Sequence, residues 1–103
     1  MIALAMTTVG DETAAKKLAA ALTQNRLAAC VSIAPNISSS YWWNGAIETS
    51  AEWLLIIKTA PDKIAAIEAL FKLEHPYDLP ELIFREFNAS ADYEAWVKTS
   101  VIA

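Results

Sequence analysis

The stretch HPYDLPEL, residues 75–82, holds the chain's only histidine, two of its four prolines and two carboxylates. An imidazole and a carboxylate in one short connection suit the binding of a divalent cation through mixed nitrogen and oxygen donors. His75 and Glu81 are the residues that would converge on such an ion, or on a small molecule. The prolines give the stretch a second reading, a rigid corner where a helix stops and the next strand is aimed. In that reading His75 ends the helix before Pro76, near its negative dipole end, and Glu81 satisfies backbone donors.

Little else in the chain is equipped for catalysis. One histidine leaves no base to spare for a Ser-His-Asp arrangement, and two glycines in 103 residues rule out a glycine-rich phosphate cradle. Glu48 and Glu52 flank a hairpin and read as solvated. No reaction is indicated, so the chain reads as a non-enzyme. Cys30 lies on a small-residue strand between Ala29 and Val31, where a buried thiol packs and stays inert. Lys58 could meet an anionic ligand, but one lysine is no phosphate site. Trp42, Trp43 and Trp53 read as hairpin packing between subunits rather than as an aromatic ligand pocket.

The elements that must position these groups form one domain, residues 1–103, a length that suits a single core. Of its residues 55% are hydrophobic, and mean hydropathy is +0.29, high for so small a chain. No run approaches the roughly 20 apolar residues of a spanning helix. MIALAMTTVG lacks the basic region of a signal peptide, and one cysteine fits a reducing compartment, so a cytoplasmic protein is expected. A net charge of −4 argues against nucleic acid. The apolar excess is therefore expected to meet other protein chains.

Ile2–Val9 reads as a strand. Asp11 is a good N-cap for a helix carrying Ala15, Leu18, Ala19 and Leu22 on one face. Leu27–Ala34 is a second strand, kinked or bulged at Pro35-Asn36, with alternation resuming at Ile37, Ser39, Tyr41 and Trp43. Asn44-Gly45 is a hairpin turn, and the return strand runs from Ala46 to about Thr59. Pro61 suits the first turn of a helix striped by Ile64, Ile67 and Phe71, which stops at Pro76. Glu81–Phe87 is a fourth strand, and Ser90 opens a last helix with Tyr93, Trp96 and Val97.

The order is βαββαβ with a terminal helix, the ferredoxin-like α+β pattern of an antiparallel sheet. Two features depart from its plain form. The third strand is apolar on both faces through Trp53–Ile57, so both faces should be covered. The hairpin arms would reach roughly 45 Å at about 3.3 Å per residue, against a gyration radius near 13 Å for a domain of this size. Its aromatic tip must overhang, a hazard unless a neighbouring subunit pairs with it.

LAACVSIAP with YWWNG, then LLIIKT, then HPYDLPELI, in that order and spacing, resemble the CutA family of divalent-cation tolerance proteins, and DYEAW echoes the family's closing tyrosine and tryptophan. The resemblance implies a ferredoxin-like protomer in a homotrimer joined by strand pairing between subunits. It also implies a link to copper and other divalent metal ions, with His75 and Glu81 matching the motif whose residues are the candidates for metal contact. Met6 falls near the end of strand 1, where some members place a cysteine proposed as a copper ligand; a thioether is a soft donor for Cu(I). Ser32 departs from the family's common asparagine, and FREFNASADYEAW lacks its usual proline and glycine. The expectation is a homotrimer that binds copper or related divalent ions weakly and serves metal tolerance. Two alternatives stand beside it. One is a small-ligand sensor resembling the PII signalling trimers, although no basic residue lies between Ala28 and Thr49 to grip a nucleotide. The other is a purely structural trimer.

Overall fold

Side-chain alternation sets the first strand. In the computed structural model, which describes residues 1–102, β1 (Ile2–Val9) buries Ala3, Ala5, Thr7 and Val9 on one face and half-buries Leu4, Met6 and Thr8 on the other. The Asp11 carboxylate then accepts the Ala14 N–H at 2.8 Å and starts α1 (Glu12–Gln24), as its position before the apolar stripe predicts. Ala15, Leu18 and Leu22 form the buried side of that helix.

The second strand begins later than expected. It was predicted from Leu27, but β2 spans Cys30–Trp43. Arg26 takes a positive φ of 59°, and the N–H groups of Leu27 and Ala28 still donate to the Leu22 carbonyl, so the chain is unwinding from α1 there. The Ala29 N–H, donating to the Lys58 carbonyl at 2.9 Å, opens the pairing with β3 (Ala46–Thr59). That ladder slips between Ala34 and Ile37, where Asn36 has φ 53°: the Pro35-Asn36 bulge read from the sequence. Pairing then continues to Trp43 opposite Ala46.

Asn44 and Gly45 close the hairpin with φ of 50° and 80°, both positive as a type I′ turn requires. A Cβ at Gly45 would meet no atom within 4 Å, so only the backbone opposes a side chain there. Gly45→Ala is accordingly expected to cost about 1–2 kcal/mol, read as a lower midpoint in urea unfolding with an unchanged slope.

A short 3₁₀ turn at Pro61–Lys63 leads into α2 (Ile64–Glu74), which buries Ile67 and Phe71. β4 was expected from Glu81 but spans Ile83–Phe87, since pairing with β1 begins only at Ile83 opposite Met6. The last helix, α3 (Ala91–Ser100), buries Val97 and leaves Tyr93 and Trp96 on the surface, their rings 5.6 Å apart. The N-terminal ammonium bonds to Glu94 on that helix at 2.8 Å.

The four strands form one antiparallel sheet in the order β2-β3-β1-β4. Its core lies on one face: Ala5, Val9, Leu55 and Ile57 meet Ala15, Leu18 and Leu22 of α1 and Ile67 and Phe71 of α2. The opposite side of β3 is only half-buried at Leu54 and Ile56, so the double covering expected of this strand is incomplete in a single chain. Cys30 is half-buried on β2 rather than sealed in a core, and lies 3.9 Å from Lys58 Nζ, which donates to Ser32 Oγ at 2.6 Å. The molecule measures 44 × 25 × 22 Å with a gyration radius of 14.1 Å. Its long dimension matches a 14-residue hairpin arm at about 3.3 Å per residue, as the overhang argument requires.

Candidate functional site

Pro76 and Pro80 frame the corner between α2 and β4. A residue before proline is driven out of the helical region, and His75 accordingly leaves α2 with φ −74° and ψ 132°. This turns the imidazole back onto the sheet, where it is only 9% exposed. Nε2 lies 2.9 Å from the Thr7 hydroxyl on the core-facing side of β1. Nδ1 accepts the Tyr77 backbone N–H at 3.1 Å. A peptide N–H can only donate, so the neutral ring carries its proton on Nε2, which faces the Thr7 hydroxyl and the Thr8 backbone. Phe71 and Tyr77 flank the ring at centroid distances of 5.2 and 5.3 Å.

Tyr77 extends the network. Its hydroxyl lies 3.5 Å from where a Cβ on Gly10 would sit, just beyond β1, and donates to Glu52 Oε2 on β3 at 2.8 Å. Glu52 was expected to be solvated, and this is corrected: it is 7% exposed. The carboxylate sits beside the bulge, opposite Ile37, where the tyrosine covers it. Burial, then the bond to Glu52, push the Tyr77 phenol far above its ordinary range.

Glu52 also links the two residues singled out from the sequence. Burial raises the Glu81 carboxyl above its usual value, and the Glu52 charge adds to the rise. Burial lowers the His75 pKa, while a backbone hydrogen bond at Thr8 and the Glu52 charge work against that shift. His75 and Glu81 therefore both lie in the field of one nearly buried carboxylate. Met6 does not join them. It follows the other face of β1 from Thr7, opposite Ile56 and Ile83, so the sheet separates its thioether from the imidazole.

The chemistry of imidazole and carboxylate suits copper or zinc, yet the arrangement in one chain is closed. Both ring nitrogens of His75 are engaged. Among the described residues no three histidine, cysteine, aspartate or glutamate side chains gather closely enough to hold a metal ion. What the chain offers is an imidazole held by Thr7 and Tyr77, and a nearly buried Glu52 carboxylate held by the Tyr77 hydroxyl. The ion pairs among the described residues engage Glu12 and Glu94, not Glu52 or Glu81.

The site makes stability depend on pH in a stated direction. Above about 6.5, the ordinary histidine value, His75 is neutral in both folded and unfolded chains. Below it the unfolded chain takes up a proton first, because the folded ring's pKa is lowered. Stability contributed by His75 is therefore expected to fall as pH drops from about 6.5 toward the folded pKa. Glu81 acts oppositely, since its raised folded pKa favours the native state on acidification through the carboxyl range. Urea midpoints measured from pH 8 to 5 should decline for the wild type and flatten in a His75→Gln variant.

A four-stranded antiparallel sheet of order β2-β3-β1-β4, with α1 and α2 packed on one face and an extended central hairpin, defines a ferredoxin-like α+β protein. Residues 3–100 match the family described as CutA1 divalent ion tolerance protein, and the chain belongs to that family. It is 43% identical over 94 residues to Protein CutA 1, chloroplastic, of Oryza sativa subsp. japonica, covering 90% of this chain and 53% of that protein. It is 36% identical over 95 residues to the divalent-cation tolerance protein CutA of Pectobacterium atrosepticum, covering 91% of this chain and 86% of that one. The solved structure of the periplasmic divalent cation tolerance protein CutA from Archaeoglobus fulgidus superposes with a TM-score of 0.94 at 30% identity, covering 99% and 100% of the two chains. The chain thus spans about half the length of the rice relative and most of the bacterial one. No helix among the described residues is long and apolar enough to cross a membrane.

Proposed function

We propose that this chain serves divalent-cation tolerance as a homotrimer that binds copper or another divalent ion weakly through His75 and Glu81. The observation that carries the reading is the nearly buried Glu52 carboxylate, bonded to the hydroxyl of Tyr77 whose N–H holds His75, with no lysine or arginine paired to it among the described residues. Two donors from one chain make a weak site, so a neighbouring subunit supplies what is missing. Met6, on the other face of the sheet, takes part only if it reaches the corner of a second copy.

Two exposed surfaces support assembly. β4 is an edge strand whose five residues, Ile83, Phe84 and Phe87 among them, are all exposed. Beyond its bulge the hairpin exposes Tyr41, Trp42, Trp43 and Ile47. A second copy of the chain fits both, its overhanging hairpin lying along the outer edge of β4. A single reduced cysteine suits the cytoplasm, whereas the rice and archaeal relatives carry chloroplastic and periplasmic names.

Calorimetric titration with Cu(II) tests the metal reading. Affinity should fall in Glu81→Gln and be largely lost in His75→Ala, both confirmed folded by circular dichroism. Equal affinities in all three proteins would refute the site.

A further inference from the structure

We infer that the bond between Tyr77 and Glu52 fixes the direction in which the long hairpin leaves the sheet, so that the two residues position its aromatic tip for a second copy of the chain. The inference rests on the homotrimer reading. β3 is paired on both sides only as far as Trp53 opposite Val9, where its ladder with β1 ends. One step further out, Glu52 pairs with Ile37, the first pair beyond the Pro35-Asn36 bulge. Past that pair the two strands have only each other, and every residue as far as the turn is exposed except Ser39 and Ser50. This outer hairpin is braced within itself, Ser40 to Thr49 at 3.0 Å and Tyr41 to Ser50 at 3.1 Å. It therefore moves as one piece, and its joint is the root, where the ladder slips and Asn36 takes φ 53°.

Tyr77 holds that joint. Among the described residues, its bond to Glu52 at 2.8 Å is the one side-chain hydrogen bond that ties residues 35–52 to the rest of the chain. The tyrosine is itself fixed by the corner: its N–H donates to His75 Nδ1 at 3.1 Å, and its ring centroid lies 5.3 Å from the imidazole. The acceptor is only 7% exposed, so water hardly competes for it. The arm from Ile37 to Trp43 reaches roughly 20 Å at about 3.3 Å per residue, so a swing of about 10° at the root carries the indoles about 3–4 Å. A gap of about 1 Å already forfeits a large part of a dispersion contact, so such a swing undoes packing against a neighbour. A tip held in its docking direction also spares the assembly the entropy of fixing it there.

Tyr77→Phe keeps the ring and removes only the hydroxyl. Each protein is mixed with an isotope-labelled copy of itself, and subunit exchange is followed by native mass spectrometry. Tyr77→Phe should exchange about tenfold faster than the wild type, the factor set by one hydrogen bond to a charged group. Glu52→Ala should do the same, whereas Glu52→Gln keeps an oxygen for the tyrosine hydroxyl and should exchange nearly as slowly as the wild type. Val97→Ala on α3 separates aim from plain stability: it should lower the urea midpoint and leave exchange unchanged. A trimeric wild type that exchanges as fast as Tyr77→Phe would overturn the aiming role alone, as would equally fast exchange in Val97→Ala and Tyr77→Phe. A monomeric wild type would overturn the homotrimer and the aiming role with it.

Discussion

Replacing Trp42 and Trp43 together with serine is expected to break up the proposed homotrimer while leaving the protomer folded. In the single chain the two indoles are 73% and 46% exposed, and neither belongs to the core formed by β1, β3, α1 and α2. The protomer therefore loses little when they go. Buried against a neighbouring subunit, each would contribute on the order of 3–5 kcal/mol to association. Gel filtration with light scattering should give about three times 11.3 kDa for the wild type at sub-micromolar concentration, and smaller or aggregated species for the variant. An unchanged mass and melting temperature would make the tip ordinary surface.

Truncating His75 to alanine should be the most damaging single change in the corner. It leaves the fully buried Thr7 hydroxyl and the part-buried Tyr77 N–H without their partner. Each orphaned group costs about 1–3 kcal/mol, so a total loss of roughly 2–6 kcal/mol is expected in urea unfolding at pH 8. A histidine that merely ended a helix would contribute about 0.3–1 kcal/mol through the dipole. A measured loss in that lower range would return His75 to the surface.

That contrast shows where local pattern stopped being informative. Asp11, Asn44-Gly45, Pro35-Asn36 and Pro61 act within a few residues of themselves, and each element boundary they mark lies close to where it was read. Leu27 and Glu81 misled because strand-like composition continues into segments whose hydrogen bonds go elsewhere or are not yet paired with β1. The candidate site was half legible. His75 and Glu81 stand in one short motif, but Thr7 lies 68 residues before His75 and Glu52 lies 25 before Tyr77. No spacing rule reaches that far. Glu52 in particular follows the small residues Thr49, Ser50 and Ala51, and only a tyrosine arriving from another part of the chain makes it a buried group.

The sheet order has a consequence for the sequence of events in folding. β2 and β3 are neighbours joined by a tight turn, so their pairing closes a short loop and can form within about 1–10 μs. β1, an inner strand, must wait for partners far along the chain, β3 on one side and β4 on the other. The hairpin, with its two indoles, is then complete while the strand that anchors it is still free. Refolding of the proposed homotrimer should consequently depend on protein concentration in both directions: too dilute, and chains wait for one another; too concentrated, and the early hairpins stick to each other before β1 has joined them.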